Sequence, residues 1–335
     1  MARRPPARGF DEDDVRLRAN PRGTRPRSKQ RPAHEDASDG VVTTVDRGRY
    51  AVVVGRVAVT AVRARELGRR GVAVGDRVHV VGDLSGQPDS LARIVRIAER
   101  DSVLRRTADD ADPLERVIVA NADQLIIVCA LSRPAPSYGL IDRCLVAALT
   151  EGIDPILCLT KADLAPATDV IERYSPLDVP AVVTSKGEPL DELSEQLPGH
   201  ESVFVGHSGV GKSTLINRLV PDAARATGAV SDIGKGRHVS SSAVALPLPS
   251  GDGWVIDTPG VRSFGLAHVT ADDLLWAFPD LEDGATQCPP GCEHQSAEAG
   301  CHLDEWVASG HATITRLAAF RRLLASHLGV RDGVR

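Results

Sequence analysis

Lysine and aromatic side chains are scarce in this sequence of 335 residues. It contains five lysines against 35 arginines, with three Trp, three Tyr and five Phe. It also lacks an apolar run approaching the roughly 20 residues that span a bilayer. The arginines near the N-terminus are not followed by the apolar segment of a secretory signal. We therefore expect a cytoplasmic protein that does not associate with membranes.

The few lysines are placed unevenly along the chain. Four of the five, Lys161, Lys186, Lys212 and Lys235, lie in or beside short motifs typical of nucleotide-binding proteins. A compact ammonium and a planar guanidinium are not interchangeable at a phosphate site. Most cationic residues of the chain are arginines, so the presence of lysine at these positions supports a nucleotide-binding role for the motifs.

Charge is also distributed unevenly. Residues 1–100 contain 21 Lys or Arg against 13 Asp or Glu, whereas the remainder contains 19 against 32, for a net charge of −5. The overall charge argues against a general nucleic-acid binder, but the basic N-terminal part can approach RNA phosphates. A solvated basic arm without a partner explains the first residues equally well.

The pattern along the chain divides it into four parts. Residues 1–38 predict a disordered basic tail, and residues 39–101 predict an OB-like, RNA-binding β-barrel from closely spaced short strands. Residues 102–268 alternate strands and helices, as in an α/β domain with a parallel sheet. Residues 269–335 predict a helical, zinc-binding domain. The predicted strands are 40–45, 50–59, 75–81, 91–97, 125–130, 155–159, 181–184, 202–205 and 254–256, and the predicted helices are 138–151, 189–196, 212–219 and 313–328.

One motif of the α/β part has the pattern of a P-loop. It follows an apolar strand and opens a helix, so that its backbone N–H groups face a bound phosphate. Lys212 is predicted to reach the β- and γ-phosphates, and the Ser213 hydroxyl to bind Mg²⁺. The nucleotide-binding residues predicted here are Gly206, His207, Ser208, Gly209, Val210, Gly211, Lys212, Ser213 and Thr214.

Three further motifs complete a GTP site. Asp257 begins a DxxG sequence. Its aspartate is predicted to hold Mg²⁺, and the Gly260 N–H is predicted to sense the γ-phosphate. Thr160-Lys161-Ala162-Asp163 is similar to NKxD, whose carboxylate accepts from guanine N1–H and N2–H₂. Thr184-Ser185-Lys186 resembles a second base-contacting element. The base-reading motifs precede the P-loop, the reverse of the usual order, so the sequence predicts a circularly permuted GTPase.

The cysteines form two groups. Cys129, Cys144 and Cys158 lie in apolar stretches and are predicted to be core residues. The spacing of Cys288, Cys292, His294 and Cys301 predicts a closed Cys₃His site for one structural Zn²⁺, with His302 as a competing ligand.

Four features are shared with a known family: the motif order, Gly234–His238, Asp257–Gly265 and the Cys/His cluster. In these features the sequence resembles the RsgA (YjeQ) family of ribosome small-subunit-dependent GTPases, over about residues 39–325. The resemblance implies an OB domain, a permuted GTPase and a zinc domain. It also implies GTP hydrolysis on the small ribosomal subunit during late maturation, with contacts to rRNA.

The resemblance also assigns roles within the site. His238 matches the switch I histidine proposed to act in hydrolysis, beside Lys212 and Gly260 as catalytic residues. The expected magnesium ligands are Ser213 and Asp257, and one serine of Ser240-Ser241-Ser242, of which we choose Ser240, supplies the switch I hydroxyl. Thr160 stands where the family has asparagine. We expect a monomer that binds GTP and GDP.

Two other functions are compatible with the sequence. The chain is a nucleotide-gated RNA-binding scaffold if hydrolysis is incidental, although intact Lys212, Ser213 and Asp257 favour an enzyme. It is an ATPase only if Asp163 does not read the base, because adenine presents a lone pair at N1.

Overall fold

The fold is seen in a computed structural model, which describes residues 34–68, 71–107, 115–221, 243–258, 264, 266, 268–297 and 300–327. Apart from residues 34–35, these all belong to one compact unit, Asp36–Arg335. In this described part of the chain, no helix is long and apolar enough to cross a membrane.

A closed five-stranded barrel forms the first part of this unit. Its strands are β1 (Ser38–Asp46), β2 (Arg49–Val54), β3 (Val57–Arg63), β4 (Arg77–Gly82) and β5 (Ala92–Ile97). They are hydrogen-bonded in the order β1-β2-β3-β5-β4, and β4 pairs back onto β1. Val42, Val52 and Ile94 fill the interior without solvent exposure. The predicted OB-like barrel is confirmed.

The sequence prediction was wrong about the second strand of the barrel. A single strand over 50–59 was expected, but the chain turns at Gly55-Arg56, and β2 and β3 pair antiparallel from Arg49↔Val62 to Val54↔Val57. A two-residue connection is enough for such a hairpin. The turn was not predicted because the residues on both sides of it form one apolar run.

The α/β domain contains a six-stranded sheet. The strands are β8 (Gln124–Ala130), β9 (Asp154–Thr160), β10 (Ala181–Val183), β11 (Glu201–Val205), β12 (Val244–Pro247) and β13 (Trp254–Asp257), in the order β10-β9-β8-β11-β13-β12. All neighbours are parallel except β12, which pairs antiparallel with β13. A hairpin that was not predicted, β6 (Val103–Thr107) and β7 (Glu115–Ala120), precedes this sheet.

Strand β8 shows why this sheet has a continuous apolar sequence. All seven of its residues are buried. Leu125 and Ile127 face one apolar cluster, whereas Ile126 and Val128 face another, because helices cover both sides of the sheet. The helices of this domain are α1 (Tyr138–Thr150), α2 (Thr168–Tyr174), α3 (Asp191–Ser194) and α4 (Lys212–Leu219), with 3₁₀ turns at Ser175–Leu177 and, in the barrel, at Arg65–Leu67.

Helices alone form the C-terminal part of the described chain: α5 (Ala271–Leu275), α6 (Pro279–Ala285), α7 (Leu303–Ala308) and α8 (Ile314–His327). Leu317, Phe320 and Leu324 of α8 belong to the same apolar cluster as Ile141 and Leu145 of α1. The C-terminal helices therefore share a core with the α/β domain.

The barrel is joined to the sheet by backbone contacts. Thr44 of β1 pairs with Val244 of β12, so that one hydrogen-bonded sheet runs through both parts. The Asn121 side-chain amide donates to the Gly75 carbonyl over 2.8 Å. A Cβ at Gly75 would lie 2.1 Å from the Ala120 carbonyl oxygen, so only glycine permits this close approach.

A carboxyl group with a raised pKa lies at this junction. Glu201 begins β11, and its Oε1 is 3.9 Å from Arg77 Nη2. Burial raises the pKa of Glu201 from its usual 4.5 to about 7, against the smaller, opposite effect of the Arg77 charge. Between these two pH values the folded protein holds a proton that the unfolded chain releases. The contribution of Glu201 to stability therefore falls as pH rises through this window.

We expect Glu201→Gln to raise the melting temperature relative to the wild type at pH 8, and to have little effect at pH 4.5. Thermal melts across this range test the expectation, with Asp154→Asn, an exposed acid at the start of β9 in the same sheet, as the control. A difference between Glu201→Gln and the wild type that does not change with pH would contradict the assignment.

Candidate nucleotide and metal sites

The P-loop connects the end of β11 to the start of α4. A Cβ at Gly206 would lie 2.4 Å from the Val128 carbonyl oxygen, so the loop can pass this close to β8 only with glycine. Helix α4 begins at Lys212, and its N-cap, Gly211, provides no side-chain hydrogen bond. No side chain at the N-cap thus occupies the first N–H groups of α4, which can donate to an anion.

The ends of β11 and β13 bring the P-loop lysine to the DxxG motif. Lys212 Nζ contacts Asp257 Oδ1 and donates to the Thr258 carbonyl over 3.0 Å. Thr258 is fixed in turn, because its hydroxyl donates to the Phe204 carbonyl over 2.7 Å. Residues 45 positions apart in the sequence thus meet at one edge of the sheet.

The oxygen donors at this edge suit Mg²⁺. Ser213, in the first turn of α4, is exposed, and Asp257 is half-buried at the end of β13. A hydroxyl and a carboxylate are hard oxygen ligands of the kind that Mg²⁺ takes beside substrate phosphates. Both side chains therefore stay predicted ligands of Mg²⁺.

Thr160 and Lys161, at the end of β9, make hydrogen bonds to the P-loop. The Thr160 hydroxyl is buried and donates to the Val210 carbonyl over 2.5 Å, and Lys161 Nζ donates to the Gly209 carbonyl over 2.8 Å. The threonine that stands in place of asparagine thus contacts the phosphate loop itself. Asp163, two residues further on, is exposed.

The second base-contacting element lies beside the first. The Ala162 N–H donates to the Thr184 carbonyl over 3.2 Å, which holds the two loops together. Thr184 itself is buried, with its hydroxyl directed at the Leu159 carbonyl, whereas Ser185 and Lys186 are accessible. Of the three residues predicted here, the last two are therefore available to a ligand.

One residue of this site was missed by sequence analysis. The carbonyl of Arg133, in the loop after β8, accepts a hydrogen bond from Lys161 Nζ. A backbone acceptor has no sequence signature, so no motif could have indicated it. His238, Ser240 and Gly260 lie outside the described residues, and their roles stay predictions.

The four predicted zinc ligands lie together. One ligand atom from each of Cys288, Cys292, His294 and Cys301 lies within 4.8 Å of the others. His294 Nδ1 is 3.6 Å from Cys288 Sγ and 3.8 Å from Cys301 Sγ. In tetrahedral zinc sites, Zn–S bonds of about 2.3 Å and Zn–N bonds of about 2.0–2.1 Å put sulfur and nitrogen about 3.6 Å apart. The cluster therefore fits Zn²⁺.

The surroundings of Cys301 disfavour its thiolate in the absence of a metal. Burial, with a smaller effect of the charges of Cys288 and Cys292, raises the pKa of Cys301 to about 11. A thiolate at this position is therefore favourable only beside a positive charge, which Zn²⁺ would supply. His302 is not in the group, since its Nδ1 lies 3.0 Å from Glu305 Oε2.

Comparison with known proteins gives consistent matches. Residues 97–267 match the family model described as RsgA GTPase. The small ribosomal subunit biogenesis GTPase RsgA of Chlorobaculum parvum is 36% identical over 305 residues, which cover 86% of this chain and 97% of that protein. The protein of the same name from Ectopseudomonas mendocina is 41% identical over 62% of this chain. The chain spans 63% of the length of that relative, a little less than two thirds.

Solved structures match along most of the chain. The crystal structure of YjeQ from Thermotoga maritima has a TM-score of 0.64 at 27% identity and covers 88% of this chain and all of its own. The structure of YloQ, a circularly permuted GTPase, has a TM-score of 0.62 at 23% identity, covers 91% of this chain and all of its own, and supports the fold alone.

Proposed function

Because the chain belongs to the RsgA GTPase family, we propose that it binds and hydrolyses GTP and acts in the biogenesis of the small ribosomal subunit. The observation that carries the proposal is the meeting of three motifs at one edge of the sheet. Lys212 contacts Asp257, and Thr160 and Lys161 hold the P-loop carbonyls.

The proposed chemistry is transfer of the γ-phosphoryl group of GTP to water. Mg²⁺, when bound, neutralises charge that develops on the phosphate oxygens. The N–H groups at the start of α4 bind the phosphates, and Lys212 supplies a positive charge beside them. Asp163 would select guanine through its carboxylate, and Ser213 and Asp257 would hold the metal. We retain His238 as the residue expected to act on the attacking water.

The test of this chemistry is GTP turnover in the presence of Mg²⁺. We expect Lys212→Ala to lower the rate by about 10²–10³-fold, the loss typical of removing one group that stabilises transition-state charge. Lys29→Ala, a lysine outside the motifs, is the matched control and should keep the wild-type rate. Equal rates for both variants would show that turnover does not occur at the P-loop.

The ribosomal part of the proposal rests on the names of the relatives and on the barrel surface. Arg49 of β2 and Arg93 of β5 are exposed, and both pair with Val62 of β3 in one row across the barrel. Tyr50, the one aromatic residue of the barrel region, is buried. This surface therefore favours contacts to rRNA phosphates over stacking on bases.

The C-terminal cluster has a structural role in this proposal. Four protein ligands close the coordination of Zn²⁺, and a closed site leaves no position for substrate. His294 and Cys301 are buried beneath α8, whose Arg321 Nε donates to the His294 carbonyl over 3.1 Å. The metal would thus fix the chain segment that connects α6 to α7.

A further inference from the structure

The two ring nitrogens of His294 face different chemical groups. Nδ1 lies 3.6 Å and 3.8 Å from the sulfur atoms of Cys288 and Cys301. Nε2 lies 3.6 Å from Asp272 Oδ1 on the opposite side of the ring. Nδ1 is therefore the nitrogen that can bind the metal, and Nε2 is directed at a carboxylate.

We propose that Asp272 is a positioning residue for the metal site, whose carboxylate accepts the Nε2–H of His294 and so keeps Nδ1 free to bind Zn²⁺. A histidine that binds a metal through one nitrogen commonly donates its other N–H to a carboxylate. That bond fixes the tautomer and the ring orientation, and it makes the ligating nitrogen more basic.

The backbone places Asp272 for this role. It lies in the first turn of α5, which a capping box holds in place. The Asp273 N–H donates to the Thr270 hydroxyl over 3.2 Å, and the Thr270 N–H donates to Asp273 Oδ2 over 2.8 Å. The carboxylate of Asp272 remains exposed, so a side-chain movement of about 0.7 Å brings it to hydrogen-bonding distance of His294.

His294 is held independently from the other side. Its carbonyl accepts from Arg321 Nε, and Arg321 also makes two hydrogen bonds to Asp304, of 2.8 and 2.6 Å. The His294 side chain is 5% exposed, so its ring nitrogens have little access to water. With the His294 backbone fixed, the Asp272 carboxylate is placed to accept a hydrogen bond from Nε2–H.

The same domain provides a matched comparison. His302 Nδ1 lies 3.0 Å from Glu305 Oε2, a second pair of a histidine and an exposed carboxylate. His302 lies outside the group of ligand atoms. Removing the Glu305 carboxylate therefore changes surface charge by the same amount, and it leaves in place the backbone N–H of His302, which donates to Cys288 Sγ over 3.3 Å.

The experiment measures the Zn²⁺ affinity of the full chain by competition with a chromophoric chelator. We expect Asp272→Ala to bind Zn²⁺ 10–100-fold more weakly than the wild type, and Glu305→Ala to bind within twofold of it. Asp272→Asn should lie between, because its amide oxygen accepts the hydrogen bond without carrying a charge. These readouts do not depend on GTP turnover, so they hold whether or not the proposed enzymatic function does.

A spectroscopic readout separates positioning from a general loss of structure. In the Co²⁺-loaded protein, Asp272→Ala should shift the d–d absorption bands while the thiolate-to-cobalt charge-transfer intensity stays near the wild-type value. The proposal is overturned if Asp272→Ala and Glu305→Ala bind Zn²⁺ equally well. It is also overturned if Asp272→Ala loses the charge-transfer band and the folded structure together.

Discussion

Replacing Asp163 by asparagine is expected to lower the affinity for GTP by about 10–100-fold, the range for one bidentate contact to a base. The carboxylate accepts from guanine N1–H and N2–H₂, whereas an amide presents one acceptor and one donor. Xanthine carries an oxygen at C2, so the same change should raise the affinity for xanthosine triphosphate. Asp163 is exposed beside the braced P-loop, where a ligand can reach it.

Competition binding with GTP, ATP and xanthosine triphosphate tests this exchange of specificity. Asp169→Asn, an exposed aspartate in the first turn of α2, is the control and should retain the preference for GTP. If Asp163→Asn still prefers GTP by the wild-type margin, Asp163 does not read the base, and the ATPase alternative becomes open again.

Asp76→Ala is expected to destabilise the protein by about 3–5 kcal/mol, the cost of removing one partner of a buried ion pair. Asp76 is completely buried immediately before β4. Its carboxylate accepts from Arg100 Nε at 2.7 Å, from Arg100 Nη2 at 2.8 Å and from the Ala73 N–H at 2.7 Å. Without it, the Ala73 N–H and Arg100 Nε lose their carboxylate acceptor, and the partly buried guanidinium keeps its hydrogen bond to the Gly71 carbonyl but loses its counter-charge.

The neighbouring pair of the same residue types provides the control. Arg77 Nη1 lies 2.7 Å from Asp101 Oδ2, but these side chains are 51% and 72% exposed. Exposed pairs contribute about 0–1 kcal/mol, so Asp101→Ala should change stability by no more than that. Urea unfolding of both variants measures the difference. Equal losses would show that burial does not determine the cost.

The nucleotide site could be predicted because its parts are local in sequence. A P-loop needs glycines, a lysine and a serine at fixed spacing between a strand and a helix, and the chain shows all of these from Gly206 to Ser213. The parallel sheet follows from strands buried on both faces, such as β8. The permuted order of the motifs is a property of the sequence itself, so it could be predicted as well.

The contacts between distant segments could not be predicted. The pairing of Thr44 with Val244 depends on how two edge strands meet, and neither strand encodes its partner. The two carbonyls that accept from Lys161 are backbone groups, which any residue supplies. Asp272 lies 22 residues before His294, and only the folding of α5 against the cluster places them together.

The permuted order of the motifs determines where the P-loop strand and the flanking parts of the chain lie. The P-loop strand β11 lies between β8 and β13, in the middle of the sheet, although it follows β8, β9 and β10 in the chain. The barrel precedes this sheet and pairs with it through β1 and β12, and the C-terminal helices pack on α1. Both flanking parts therefore contact the nucleotide-binding domain directly.

The most direct test of the proposed function is GTP turnover at fixed salt and Mg²⁺, with and without purified small ribosomal subunits, with Lys212→Ala as the blank. We predict that the subunits strongly stimulate turnover by the wild type and leave Lys212→Ala inactive. Equal wild-type turnover with and without subunits would contradict the proposed ribosome-dependent GTPase activity. If the protein still binds the subunits, and binds them more weakly as salt rises, the result would favour an RNA-binding scaffold.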